Sequence, residues 1–259
     1  MYRASPRDGV AWITGASSGI GRAVALELAS RGFAVAATAR RAGELATLCA
    51  EAKAAGGRID AFPGDVTDRA GLAALAARIE EEFGPVALAM LNAGANFPDL
   101  PRDCFGDGFR KTMALNFEGV LNGLAPLVPR MQARGRGQIA VMGSVAGYGG
   151  LPTAAAYCAS KAALIAMCES LVGQYARMGL TLQIISPGFV RTPLTDRAQV
   201  PKPFMIGAQE AARRICEGFY RGGFEIAFPR RLVWTAKAVN LLPYGLYLRL
   251  FDRVTPRGR

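Results

Sequence analysis

The sequence predicts an α/β fold, a doubly wound sheet of seven mostly parallel strands flanked by helices and followed by a basic, apolar helical extension. Three observations predict it. Seven short apolar runs alternate with helix-length amphipathic segments across most of the 259 residues. The composition, 51% hydrophobic and 20% charged, lets one large domain cover such a sheet on both faces. The first apolar run leads straight into a glycine-rich turn and then a helical pattern, Thr14-Gly15-Ala16-Ser17-Ser18-Gly19-Ile20-Gly21.

The seven predicted strands are Val10 to Thr14, Phe33 to Thr38, Ile59 to Pro63, Val86 to Leu91, Gln138 to Met142, Thr181 to Ile185 and Phe224 to Phe228. Each is a short β-branched or apolar run bounded by turn residues, as buried strands are. Between them the pattern predicts helices near residues 19–31, 41–55, 68–83, 105–134, 154–178 and 208–221. This order implies right-handed crossovers and hence a parallel sheet. No repeat or flexible linker divides the chain, so residues 1–228 read as one catalytic and cofactor-binding domain and 229–259 as an extension. The segment from Pro187 to Gly207 carries four prolines and is long enough to be a lid over a site, or else a rigid surface loop.

Composition removes several classes of chemistry. The chain has no histidine, so no Ser-His-Asp or Cys-His catalytic set can be built, and proton transfer must use Tyr, Lys, Asp, Glu or Cys. Its five cysteines, at 49, 104, 158, 168 and 216, contain no CxxC pair, which predicts neither a disulfide framework nor a bound metal. The opening residues lack the apolar core of a secretory signal, so the expected location is the cytoplasm. Of the net charge of +11, residues 197–259 carry 12 basic and 4 acidic groups, so the basicity is concentrated near the C-terminus. No nucleic-acid recognition motif accompanies it.

The glycine turn allows a tight bend, close approach of a phosphate to the backbone and close helix packing, while the helix N-terminus offers free N–H groups. Tyr157 and Lys161 lie four apart on a predicted helix and share a face. A nearby ammonium stabilises a phenolate, which makes Tyr157 a usable proton-transfer group near neutral pH. Ser144 ends the fifth strand, where strand C-termini meet a ligand crevice.

With Asn92-Ala93-Gly94 after the fourth strand, and Tyr157-Cys158-Ala159-Ser160-Lys161, this ordered set resembles the short-chain dehydrogenase/reductase family over about residues 8–228. The resemblance implies a Rossmann-type nicotinamide-binding domain holding its own active site. It assigns Tyr157 as acid/base, Lys161 as the group that lowers its pKa and binds ribose, Ser144 as oxyanion stabiliser and Asn116 as support for a proton relay. It further implies cofactor contacts from Gly15, Ser17, Ser18, Gly19, Ile20 and Gly21, from Asp65 and Val66 at the adenine, and from Asn92, Ala93 and Gly94. At the carboxamide end it implies Pro187, Gly188, Val190 and Thr192. Leu91-Asn92 replaces the family's usual doubled asparagine, a departure that touches the packing of that turn. Subunit pairing through the helices at 105–134 and 154–178 is implied as well, giving a homodimer or homotetramer.

About 20 residues past the glycine turn, where an NAD-binding protein carries a carboxylate, the sequence has Ala39-Arg40-Arg41. With no carboxylate to repel a 2′-phosphate and Arg40 able to pair with it through its planar fork, Arg41 beside it also expected at the cofactor, the expected cofactor is NADP, NADPH being favoured over NADH. Residues 229–259 carry a net charge of +6, apolar residues at near-helical spacing, and a break at Pro243 that predicts two short helices. Such a segment suits the inner surface of an anionic membrane, or packing on the substrate cleft or a neighbouring subunit. The variable stretches 95–105, 145–155 and 193–207 supply Phe97, Leu100, Tyr148, Leu151, Leu194, Phe204 and Met205, and point to a hydrophobic ketone. The alternatives are a small polar ketone such as a sugar or hydroxy acid, and a non-catalytic NADP(H) sensor.

Overall fold

A computed structural model describes residues 1–97, 106–196 and 201–254. Its single sheet has seven strands: β1 Val10–Thr14, β2 Ala34–Thr38, β3 Arg58–Ala61, β4 Val86–Leu91, β5 Gly137–Met142, β6 Leu180–Pro187 and β7 Glu225–Phe228. The spatial order is β3-β2-β1-β4-β5-β6-β7, and every pairing is parallel. The chain winds outward from β1 to β3, returns to the centre at β4 and winds outward again. The crevice between the C-terminal ends of β1 and β4 is therefore the switch point where doubly wound sheets bind ligands.

Successive strand residues face opposite ways, which splits the core in two. Ala11 and Ile13 pack with α1 (Gly19–Ser30), α2 (Ala42–Ala54) and α8 (Ala208–Arg221). Val10 and Trp12 face α3 (Arg69–Glu82), α5 (Gly119–Ala133) and α6 (Ala155–Arg177). Burial on both faces explains why β1 and β4 read as apolar runs, while in the equally buried β5 and β6 the polar Gln138 and Gln183 bond to each other at 2.8 Å.

The helix expected over 105–134 differs in form. Within the described residues it comprises α4 (Asp107–Met113), a π-helical turn (Ala114–Glu118) and α5. The wider turn carries Asn116, and its side chain supplies the reason. The amide bonds to Ala95 on one side and Ser160 on the other, and these bonds hold the local backbone out of α-helical register.

The segment 187–207 holds the short α7 (Pro193–Asp196) and a bridge between Val190 and Ile206; residues 197–200 lie outside the described residues. So do Cys104, Leu100 and the rest of the 98–105 stretch expected at the substrate pocket. After β7 come α9 (Arg230–Asn240) and α10 (Tyr244–Val254), two short helices broken at Pro243. α6 is long and apolar enough to cross a membrane by length and composition, yet it packs on the sheet and carries Tyr157 and Lys161.

Candidate active site

The glycine turn between β1 and α1 is shaped by backbone contact. Gly15 and Gly19 take positive φ, +69° and +58°, which glycine adopts without strain. A Cβ on Gly21 would lie 2.5 Å from the Gly15 carbonyl oxygen and 2.4 Å from Asn92 Nδ2, so only hydrogen fits. Ser18 precedes α1 in extended backbone and makes no side-chain cap, and no acidic residue occupies the first turn. The open N–H groups and the macrodipole make this end of α1 suited to a phosphate.

Asn92 braces the turn from the other side. Its Nδ2 donates to the carbonyl oxygens of Thr14 (2.9 Å) and Gly15 (3.3 Å), while Thr14 Oγ1 accepts from the backbone N–H groups of Asn92 and Ala93. These bonds tie β1 to β4 across the switch point. Thr14 was not singled out from sequence; a hydroxyl closing an apolar strand was the available signal. Val66 is buried against Gly119, where a Cβ would lie 2.7 Å from Val66 Cγ2, and its carbonyl accepts from Asn122 Nδ2 at 2.9 Å. Asp65 accepts from the Thr67 backbone and hydroxyl.

The two arginines after β2 differ in placement. Arg41 Nη2 donates to Ser17 Oγ at 3.0 Å, inside the glycine turn. Arg40 is 68% exposed and lies 3.8 Å from the Asp65 carboxylate. On the far side of the turn, the Thr192 methyl lies 3.2 Å from a Cβ built on Gly19, and Thr192 Oγ1 pairs with Thr195 Oγ1 at 2.7 Å. Thr195 Oγ1 also donates to the Val190 carbonyl, and Gly188 is pressed against Leu232, with its N–H bonded to Phe228 at 2.7 Å. A cavity of about 670 Å³ runs from Gly19 and Thr192 along α1 and α8; none of Asn116, Ser144, Tyr157 and Lys161 lines it.

Asn116, Ser144, Tyr157 and Lys161 converge beyond the C-terminal ends of β4 and β5. Lys161 is buried, donates from Nζ to the Met142 carbonyl at 2.7 Å, and lies 5.6 Å from the Tyr157 ring centre. Burial lowers its pKa to about 8, so near pH 7 it is still an ammonium. Burial raises the Tyr157 phenol above its ordinary value, against the opposing effect of a hydrogen bond with Ser144. Tyr157 therefore holds its proton, the state needed to donate one. Ser144 Oγ accepts from the Ala146 N–H at 3.1 Å, capping the turn that follows β5.

Asn116 is fully buried; its Nδ2 donates to the Ala95 carbonyl (2.9 Å) and to Ser160 Oγ (3.0 Å), and its Oδ1 accepts from the Ala95 N–H. Ser160 in turn donates to the Tyr157 carbonyl at 2.7 Å, a link that sequence reasoning missed. Its signal was a small polar residue on the inward face one position before Lys161. Gly94 closes the set, since a Cβ there would lie 3.1 Å from Asn116 Oδ1 and 3.7 Å from Lys161 Nζ.

The family model for short chain dehydrogenase matches residues 9–202, three quarters of the chain. The chain belongs to the short chain dehydrogenase family. It is 35% identical over 237 residues to an uncharacterized oxidoreductase of Myxococcus xanthus, covering 92% of this chain and 94% of that protein. It is 32% identical over 216 residues to the 3-oxoacyl-acyl-carrier-protein reductase of Escherichia coli, covering 80% and 87%. The fold matches a short chain dehydrogenase/reductase from Burkholderia phymatum in complex with NAD at a TM-score of 0.84 and 25% identity, over 100% of both chains. It matches a short-chain dehydrogenase from Sphingobium yanoikuyae in complex with NADPH at 0.80 and 26%, over 97% and 98%.

As a member of this family the protein is an NAD(P)-dependent oxidoreductase acting on alcohol and carbonyl groups. The residues present fit a dinucleotide. The Gly15–Gly21 cradle would be filled by any Cβ at Gly21, and the uncapped start of α1 faces the switch-point crevice. Family membership adds that such enzymes bind small molecules and commonly assemble as oligomers.

Proposed function

We propose that this family member is an NADPH-dependent reductase that converts a hydrophobic ketone to a secondary alcohol, or runs the reverse reaction. The convergence of Ser144, Tyr157 and Lys161 beside the glycine cradle carries the reading. A bound nicotinamide would supply hydride to the carbonyl carbon. Tyr157 Oη gives its proton to the carbonyl oxygen, and the Lys161 ammonium stabilises the phenolate left behind. Ser144 donates to the same oxygen as negative charge develops on it. Asn116 holds Ala95 and Ser160, which keeps Gly94 and the Tyr157 backbone in place and supports the relay that returns a proton toward Lys161.

The cofactor is held by Gly15, Ser17, Ser18, Gly19, Ile20 and Gly21 at the pyrophosphate, by Asp65 and Val66 at the adenine, and by Asn92, Ala93 and Gly94 along the ribose. Pro187, Gly188, Val190 and Thr192 hold the carboxamide end. Arg41, already turned toward Ser17, and Arg40 beside it take the 2′-phosphate, which favours NADPH.

A hydrophobic substrate is supported by exposed Leu151, Leu194, Phe204 and Met205 in the segments around the crevice. Relatives named as 3-oxoacyl-acyl-carrier-protein reductase and 3beta-hydroxysteroid dehydrogenase point the same way. Residues 1–228 form the catalytic unit, pairing with a second copy through the helical segments 105–134 and 154–178. The extension at 229–259 exposes Trp234, Leu241, Tyr244, Leu246 and Leu248 beside Arg230, Arg231 and Arg249, which suits contact with an anionic membrane on its cytoplasmic side.

The test is NADPH oxidation by purified protein against ketones of rising acyl-chain length, with a sugar ketone and Tyr157→Phe as controls. Activity should climb with chain length and fall at least ~1000-fold in Tyr157→Phe, while nucleotide binding persists. Activity confined to the sugar ketone would overturn the hydrophobic reading. Retained turnover in Tyr157→Phe would overturn the assignment of the acid.

A further inference from the structure

The turn that carries Ser144 is fastened from outside the catalytic set. Ser144 to Tyr148 form one tight turn: Gly147 N–H donates to the Ser144 carbonyl at 2.9 Å, and Tyr148 N–H to the Val145 carbonyl at 3.2 Å. The turn is also pressed onto α6, since a Cβ on Gly147 would lie 2.9 Å from the Lys161 carbonyl oxygen. A shift at Tyr148 therefore moves Ser144 relative to Lys161.

Tyr148 is gripped by β7 and by the C-terminal helices. Its hydroxyl donates to Glu225 Oε1 at 2.5 Å, and Lys237 Nζ of α9 pairs with Glu225 Oε2 at 2.5 Å. The same ammonium lies 5.1 Å from the Tyr148 ring centre. Asn240 Nδ2 donates to the Tyr148 carbonyl, and Tyr247 Oη of α10 to the Gly150 carbonyl at 2.8 Å. The two Glu225 oxygens have separate partners on two elements, so the carboxylate acts as a bidentate staple. An ordinary exposed ion pair adds little to stability, whereas this one is partly buried beneath the turn it restrains.

We propose that Glu225, Lys237 and Tyr148 are positioning residues through which the C-terminal extension sets the placement of Ser144 for carbonyl reduction. Their effect on turnover rests on the reductase reading; their effect on the turn does not. The extension is thus part of the working site rather than an appendage beside it.

Hydrogen exchange of the segment 145–150 tests the placement without any substrate. Lys237→Met and Tyr148→Phe should each speed exchange there by about tenfold, while β4 exchanges as in the parent protein. Lys237→Arg, which keeps the charge, should restore protection. Unchanged exchange in both variants overturns the proposal.

The second arm uses a ketone the parent protein reduces. Lys237→Met should lower kcat several-fold with NADPH affinity intact, and the loss should vanish when Ser144 is already alanine. A loss of equal size in the Ser144→Ala background overturns the route through Ser144. Faster exchange in a protein that reduces no ketone upholds the staple and fails the reductase reading.

Discussion

The two sides of the crevice are built by different means. On the side of the glycine turn, between β1 and β4, position is set by close backbone approach, Gly21 against the Gly15 carbonyl, and by one short side chain, Asn92, bonded to the Thr14 and Gly15 carbonyls. On the substrate side, past β5 and β7, it is set by the far ends of long side chains: Tyr148 on Glu225, Lys237 on Glu225, Tyr247 on Gly150. A backbone contact tolerates one residue type, while a contact between side-chain ends can be remade by several. The first side admits few residue types at its contacts; the second admits several.

The largest effect that would sharpen this contrast belongs to Gly21→Ala. Its Cβ meets a carbonyl oxygen that cannot retreat, so nicotinamide nucleotide affinity should fall by about 100-fold or more, read by fluorescence titration. Near-normal binding would show that the turn yields and would break the comparison.

Next in size is Lys161→Met, which should abolish turnover and stabilise the fold. The lysine pKa is lowered to about 8 by burial, so the folded protein disfavours the ammonium. That cost is full below about pH 8 and relieved as pH rises toward the ordinary value of 10.5, where the unfolded chain also loses its proton. The variant should therefore gain roughly 2 kcal/mol in denaturant melts at pH 7, allowing for the lost bond to Met142, and lose that advantage near pH 10. Destabilisation at pH 7 would show that the Met142 bond outweighs burial. In the parent protein, reduction should hold below about pH 8 and decline above it as the ammonium is lost.

Arg41→Ala should weaken NADPH by about tenfold and leave NADH unchanged. Arg40→Ala should do less, because the Asp65 carboxylate already draws on its charge. Equal losses for both nucleotides in a titration would remove the 2′-phosphate role.

Gly149→Ala should give the smallest effect, under about 1 kcal/mol in a thermal melt. The atoms nearest its Cβ are Tyr247 Oη and Asn240 Oδ1, at 2.7 and 2.8 Å, the movable ends of two side chains. A loss matching that of Gly21→Ala would mean that the substrate side is as rigid as the nucleotide side.

This contrast also explains what could be read before the structure. The strands of the central sheet were legible because burial on both faces demands unbroken apolar runs, and Val10–Thr14 and Val86–Leu91 match their expected bounds. The glycine turn was legible because positive φ and a missing Cβ restrict the residue type. The two C-terminal helices were legible from Pro243, which cannot continue a helix. The π-helical turn at Asn116 was not, since it follows from partners at Ala95 and Ser160 that lie 21 and 44 residues away. The sequence pointed to Arg40 as the phosphate partner, yet it is Arg41 that bonds to Ser17 in the turn while Arg40 lies exposed beside Asp65, because adjacent, chemically alike side chains are told apart only by where the backbone aims them.

By itself the sequence determined the doubly wound parallel sheet, the nucleotide turn and the Tyr157–Lys161 pair, because each rests on local backbone geometry or on the fixed period of a helix. Only the tertiary structure decided that Asn116 sits in a π-helical turn, that Arg41 is the arginine facing the glycine turn, and that Glu225 joins Tyr148 to Lys237. Those outcomes depend on side-chain ends meeting across separate elements, and no local rule fixes which ends will meet.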